Sequence, residues 1–211
     1  VAAFTSAWIT TRAVAQAIDH CAQRAAFGRL LIDQPIMTNV LADLALESEA
    51  ALTLTMRIAR ALDDRADPHE ANLIRLGTAI GKYWICKRTP SVATEAMECI
   101  GGSGVMEDGP MPRLFRESPV NAIWEGSGNV QCLDVLRALT KQPDCRDALL
   151  AEVGAAKGEH TALDQLHDKL KHALTDPINQ RAARHHVEQM ALALQASLLL
   201  RHAESSVGAA F

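Results

Sequence analysis

Aromatic residues are scarce in this 211-residue chain: three Trp, one Tyr and four Phe. A β-sandwich or barrel draws on many aromatic and β-branched strand residues, so this shortage, beside long Ala- and Leu-rich stretches, argues against an all-β fold. A disulfide or zinc framework is missing too. The five cysteines (Cys21, Cys86, Cys99, Cys132 and Cys145) are odd in number and include no CxxC pair, which points to a reducing, cytoplasmic compartment. No apolar run approaches the ~20 residues needed to span a bilayer, and the N-terminus lacks the basic-then-apolar layout of a signal peptide. No membrane anchor is therefore expected.

Charge of one sign is also lacking. The 21 Lys plus Arg against 25 Asp plus Glu give a net charge of −4, shared equally between residues 1–142 and 143–211. Neither part is a basic nucleic-acid arm by bulk charge. No fixed-period repeat, P-loop or Rossmann fingerprint occurs. The eight histidines give no metal-ligand set: His185 and His186 diverge on a helix, and His167 and His172 are five apart, off the spacing that shares a face.

What is present is helical periodicity. Ala7, Trp8, Val14, Ala17, Ile18 and Cys21 recur at three-and-four spacing, predicting a helix from about Ala3 to Arg24 that Gly28 stops. Leu41, Leu44, Ala45, Leu52, Met56 and Ala59 predict a second to Leu62, and Leu73, Ile80, Trp84 and Met97 a third from about His69 to Ile100. Pro68 separates these two by restricting Asp67 and opening the next helix. Residues 101–128 lose periodicity and are dense in Gly and Pro, a pattern that is more often functional than filler in a helical domain. Helices are then predicted at about Asn129 to Leu139, Asp144 to Leu174, and Pro177 to Ser205, the last capped by Asp176. Long helices joined by short loops predict an all-α fold: an antiparallel four-helix-type bundle over residues 1–142 with a helical extension over 143–211. The chain starts at Val1 in a helical pattern with no initiator Met, and reads as a piece of a longer protein.

Within the aperiodic stretch, Ile123-Trp124-Glu125-Gly126-Ser127-Gly128-Asn129 sets a lone carboxylate between an indole and two glycines that open a helix. Two readings are open from spacing alone. In one, the loop caps a helix and Glu125 is solvated. In the other, the ring strips water from the carboxylate, raises its pKa and makes it a base toward carbon acids, while the glycines and free helix amides admit an oxyanion or phosphate.

Three motifs, in order and spacing, resemble the C-terminal helical domain of acyl-CoA dehydrogenases. They are Arg24-Ala25-Ala26-Phe27-Gly28; Glu98-Cys99-Ile100-Gly101-Gly102-Ser103-Gly104; and Arg116 with Trp124-Glu125-Gly126-Ser127 downstream. The run Pro112 to Asn129, continuing through Cys132-Leu133-Asp134-Val135-Leu136-Arg137, is more similar to the AidB branch than to the fatty-acid-oxidising branches. The resemblance covers residues 1 to about 140, and the remaining helices look like that branch's C-terminal extension.

The resemblance implies that Glu125 is the base that removes the α-proton of an acyl-CoA while the β-hydrogen leaves as hydride to FAD. Residues 1–18 offer no carboxylate as a rival. The backbone amide of Glu125 is implied to polarise the thioester carbonyl. Arg24 and Phe27 match positions that hold the diphosphate and adenine of an FAD bound mainly to the partner subunit, although an Arg at a helix end also satisfies carbonyls. Ser127 and Asn129 match cofactor contacts after the base, and Gly101 and Gly102 the pair passing close to the adenosine. Two departures stand out. Glu98 replaces the usual Gln, and Pro35 takes the place of an adenine-contacting Gln, with Gln34 adjacent. Trp124 replaces a smaller Tyr and, with Gly126, implies a narrow pocket for short or branched acyl groups; the alternative is a Trp that is simply core.

The resemblance also implies a homo-oligomer, a dimer of dimers. Its AidB branch raises an alternative, a DNA-associated alkylation-response protein with residual dehydrogenase activity. In that reading Arg137, Lys82, Lys87 and Arg88 contact phosphates; otherwise they are a solvated face. The family's other domains complete the flavin and acyl pockets, so this polypeptide alone is expected to be inert and to bind FAD weakly or not at all.

Overall fold

The computed structural model describes residues 1–211, and the fold is all-α apart from one two-residue hairpin. Helix α1 spans Ala2–Gln23, strands β1 and β2 are Ala25–Ala26 and Arg29–Leu30, α2 is Pro35–Asp63 and α3 is Pro68–Ile100. After these come α4 (Met111–Glu117), α5 (Gly128–Lys141), α6 (Pro143–Gly154), α7 (Thr161–Ala173), α8 (Ala183–His202) and α9 (Ser205–Ala210). No helix is long and apolar enough to cross a membrane. The chain forms two compact units, interleaved in sequence because α2 and α3 each contribute to both: Val1–Leu52 with Ile85–Glu125, and Thr53–Trp84 with Gly126–Phe211.

In the first unit, α1, the start of α2, the end of α3 and α4 enclose a core of Ile9, Ala13, Val14, Ala17, Cys21, Leu41, Leu44, Val92, Ala96, Cys99, Met111 and Leu114. Small side chains let the helices approach closely. Where α1 meets α3 the contact is polar and satisfied: Ser6 Oγ donates to Cys86 Sγ (3.3 Å), Thr10 to Thr89 (3.2 Å), and Thr89 to the Ile85 carbonyl (2.8 Å). Helix α3 continues through Pro90, whose missing N–H removes one intrahelical bond.

The second unit is organised round α8. Val187, Met190, Ala191, Ala193, Leu194, Leu198 and Leu199 bury most of its circumference against α5, α6, α7 and α9, the signature of a central helix. A nearly buried ion cluster ties four helices together. Arg57 of α2 makes paired bonds to Glu70 of α3 (2.7 and 2.9 Å) and to Glu152 of α6 (3.1 and 2.8 Å), and Arg201 of α8 also donates to Glu152. Burial pushes the Glu152 carboxyl up, but bonds from Arg57 and Arg201 outweigh it and hold the group below the ordinary carboxylate range.

Several expectations are corrected here. Helix α1 ends at Gln23 with Arg24 extended, so Gly28 does not stop it; Phe27 (φ 54°) and Gly28 (φ 83°) are the two-residue loop of the hairpin that follows. Residues 101–128 contain α4, whose seven residues are too few for helical periodicity to register. The single helix expected over 144–174 is two, α6 and α7, because the His160 ring caps the Ala162 amide and the Asp164 carboxylate takes the Gly158 amide. Asp176 does not cap the following helix. The Asn179 side chain accepts from the Arg181 amide instead, and α8 starts only at Ala183. Trp8, Leu52 and Met56, placed on buried stripes by their spacing, are exposed.

Candidate functional site

In the first unit, the end of α1 meets the end of α3 at a cavity of about 500 Å³ lined by His20, Arg24, Leu31, Met37 and residues 98–103. Arg24, Glu98, Gly101 and Gly102 are thus brought to one place. Neither glycine has any atom within 4 Å of where a Cβ would sit, and Gly101 holds a left-handed backbone (φ 71°). A second cavity of about 380 Å³ shares His20, Arg24, Ile100 and Ser103 and adds Gln16, Asp19 and Met111. An exposed guanidinium over a bare glycine floor suits a diphosphate followed by a flat ring; the Glu98 carboxylate on the same wall suits hydroxyl donors rather than phosphate.

Phe27 stands at the hairpin tip, 96 % exposed. A bulky residue in the left-handed region is an outlier, and here the two-residue loop demands it. Gln34 does not face the cavity: its Nε2 donates to the Ala26 carbonyl at 3.1 Å, bracing the hairpin against the start of α2.

The Trp124 turn follows a short 3-10 segment, Val120–Ala122. The backbone amides of Ile123 and Trp124 both donate to the Val120 carbonyl (2.9 and 3.1 Å). Glu125 has φ 55°, is exposed, and accepts a hydrogen bond at Oε2 from the Ala2 amide at 3.2 Å. The ring N–H of the neighbouring Trp124 is directed to Asn121 Oδ1 at 3.0 Å. Phe27 and Glu125 are the two non-glycine residues with positive φ, and the family motifs had singled out both.

In the second unit, Gly126 (φ 100°) leads into α5. An added Cβ there would lie 2.7 Å from Gln131 Nε2. The Gly126 carbonyl accepts from Lys82 Nζ at 2.5 Å and from Gln131 Nε2 at 3.4 Å. Ser127 is the exposed N-cap of α5, with its carbonyl taking the Gln131 amide at 3.0 Å. Asn129 Oδ1 accepts from Arg184 Nε at 2.8 Å.

The proposed phosphate-contacting cations fare unevenly. Lys82 is 5 % exposed and bound to Gly126, so its assignment to a surface set is corrected: it is an internal tether. Arg88 is ion-paired with Glu47, and Arg137 with Asp134, whose two carboxylate oxygens already accept from Arg75. Lys87 is exposed. Sequence reading missed the roles of His20, Asn121 and Arg184. The one usable signal was the three-residue step from Asn121 to Trp124, which aligns side chains in a 3-10 turn.

These features define an all-helical domain with an anion-suited cleft at one end of its first unit and a strained carboxylate at the end of another loop. The family profile described as acyl-CoA dehydrogenase, C-terminal domain, matches residues 1–140, and the chain belongs to that family. It is 46 % identical over 169 residues to the AidB protein of Escherichia coli, a match covering 80 % of this chain and 31 % of the relative. It is 31 % identical over 173 residues to acyl-CoA dehydrogenase family member 11 of Caenorhabditis elegans, covering 80 % and 28 %. The crystal structure of C. elegans ACDH-11 in complex with C11-CoA superposes with a TM-score of 0.83 at 28 % identity, over 98 % of this chain and 39 % of that one. The chain thus spans about a third of the length of the curated relatives it matches.

Proposed function

We propose that this chain, as residues 1–142 plus a helical extension 143–211, is the C-terminal part of an FAD-dependent acyl-CoA dehydrogenase. The reaction is α,β-dehydrogenation of a short or branched acyl-CoA by a cytoplasmic dimer of dimers. The observation that carries the reading is the left-handed, non-glycine backbone of Glu125 at the family's base position. Strain of this kind persists only where surrounding structure holds it and concentrates at functional sites.

The residues present fit the adenosine diphosphate half of the cofactor: Arg24 beside Gly101 and Gly102, with room for close approach. Arg24 would hold the diphosphate, Phe27 would stack on the adenine and Glu98 would take ribose hydroxyls of a flavin bound mainly to the partner subunit; separately, in the second unit, Ser127 and Asn129 match the polar cofactor contacts that follow the base. FAD, when bound, supplies the two-electron acceptor. Glu125 takes the α-proton at its carboxylate, and its backbone amide polarises the thioester carbonyl. Lys82, by holding the Gly126 carbonyl, and Gly126, by admitting no side chain, orient the peptide that follows the base. Trp124 walls the acyl end of the pocket and favours small acyl groups. The acyl-CoA class is supported by the C. elegans relative crystallised with C11-CoA. A DNA-associated role is less supported, because of the four cations named for it Lys82 is buried and Arg88 and Arg137 are ion-paired, which leaves Lys87 exposed.

The test is turnover of short straight and branched acyl-CoAs by the full-length protein with an artificial electron acceptor. Glu125→Gln is expected to lower kcat by about 10²–10⁴-fold with bound flavin unchanged. Full activity in that variant refutes the assignment of the base.

A further inference from the structure

Beneath the Trp124 indole lies a side chain that the proposed reaction has not yet used. Asn121 is 2 % exposed. Its Oδ1 accepts the indole N–H at 3.0 Å, while its Nδ2 is buried with no hydrogen-bond partner. The orientation of this amide follows from the donor set, since an indole nitrogen only donates and requires the oxygen edge. Trp124 is also fastened through its backbone amide to the Val120 carbonyl at 3.1 Å. Trp124 is therefore fixed at its main chain and at its ring nitrogen although it is 48 % exposed.

A half-exposed aromatic side chain ordinarily samples rotamers on the picosecond to nanosecond scale. Here, rotation away from Asn121 would leave the buried carboxamide with neither its oxygen nor its nitrogen paired, which strongly disfavours the alternative rotamers. The exposed part of the indole is then a fixed wall rather than a mobile flap. A site held by a rigid wall rejects a long acyl chain; a site lined by a mobile ring yields to it.

We propose that Asn121 is a positioning residue for acyl-chain selectivity, acting through Trp124 by locking the indole in one rotamer. The inference rests on the reading of Trp124 as a wall of the acyl pocket, so the experiment separates the two. Dissociation constants for butyryl-CoA and octanoyl-CoA are measured on the full-length flavoprotein for wild type, Asn121→Leu, Asn121→Asp and Trp124→Phe. Asn121→Leu keeps the bulk but cannot accept, and is expected to shrink the preference for the shorter ligand about tenfold, the factor set by one hydrogen bond. Asn121→Asp keeps an oxygen acceptor and is expected to stay within about twofold of wild type. A merely structural role would weaken both ligands together and leave their ratio alone.

In parallel, 5-fluorotryptophan labelling gives a ¹⁹F resonance for Trp124, identified by its loss in Trp124→Phe. One sharp line is expected in wild type and Asn121→Asp, and a shifted or split line in Asn121→Leu. If Trp124→Phe leaves the ligand ratio unchanged, or neither acyl-CoA binds, the pocket-wall reading fails and the proposal with it. If Trp124→Phe changes the ratio and Asn121→Leu does not, the proposal alone is overturned. If Asn121→Leu does not fold, a wild-type Trp124 resonance that is split by motion overturns it independently.

Discussion

The two units treat their large apolar side chains differently: one buries most of them and the other exposes many. In the second, Leu54, Leu76, Ile80, Leu149, Leu170, Met190, Leu194, Leu198 and Leu199 are fully buried. In the first, the core mixes alanine, cysteine and valine with Ile9, Leu41, Leu44, Met111 and Leu114, and many large apolar side chains stand outside, among them Phe4, Trp8, Phe27, Ile36, Met106, Ile123 and Trp124. The second unit is stabilised from within, by aliphatic packing and a closed ion cluster. The first unit leaves much of its apolar surface exposed, the mark of a face that meets another molecule. The candidate base, its indole neighbour and the diphosphate-suited cleft all lie in that unit.

The strongest way to break this contrast is to remove a charge from the ion cluster. Arg57→Met leaves Glu152 nearly buried with one partner instead of two, and is expected to destabilise the second unit by ~3–5 kcal/mol in urea titrations. A loss under ~1 kcal/mol would show the cluster to be decorative. Next comes Leu198→Ala, expected to cost ~2–5 kcal/mol as a core cavity. Gly126→Ala combines left-handed backbone with a Cβ 2.7 Å from Gln131 Nε2, and should cost ~1–3 kcal/mol; unchanged stability would mean that the turn relaxes freely. Phe4→Ala in the first unit should shift stability by ~0.5 kcal/mol or less, and a core-sized loss there would erase the comparison.

Acid gives a test without mutation. The Glu152 carboxyl sits below its unfolded value, so its contribution to stability is complete above about pH 4.3 and is withdrawn as pH falls through the folded value. The second unit should therefore lose stability in acid, and Glu152→Gln should flatten that loss in pH-dependent thermal melts. At the alkaline end, burial pushes the Cys99 and Cys132 thiols up to about 11. Both are expected to resist iodoacetamide at pH 8, where an exposed thiol reacts; rapid alkylation of the folded protein would contradict their burial.

Much of the fold was legible because long helices announce themselves. The bounds of α1 and α3 and the end of α2 follow from three-and-four spacing and Pro68, with errors of about one residue. Short elements did not announce themselves: α4 is under two turns, and the α6–α7 break depends on side-chain caps from His160 and Asp164 rather than on a gap in hydrophobicity. Exposure of Trp8 and Met56 was also hidden, because periodicity locates apolar stripes but does not say which of them meets a partner. At the candidate site the motifs delivered the positions of Glu125, Arg24 and the glycine pair. The backbone conformations there, such as φ 55° at Glu125, lay outside their reach.

By itself, the sequence determined the helical architecture and the chemical types at the key positions: a carboxylate between Trp124 and Gly126, a guanidinium at the end of α1, and glycines at the end of α3. Both follow from local rules of periodicity, turn chemistry and residue identity. Only the tertiary structure decided that Lys82 points inward to a carbonyl instead of outward to phosphate, that Glu152 gathers two arginines from distant helices, and that Asn121 holds the Trp124 ring. Those outcomes rest on contacts between residues far apart in the chain or on exact torsions in a turn. Burial, which sets the strength of a hydrogen bond or ion pair, exists only once the chain has packed.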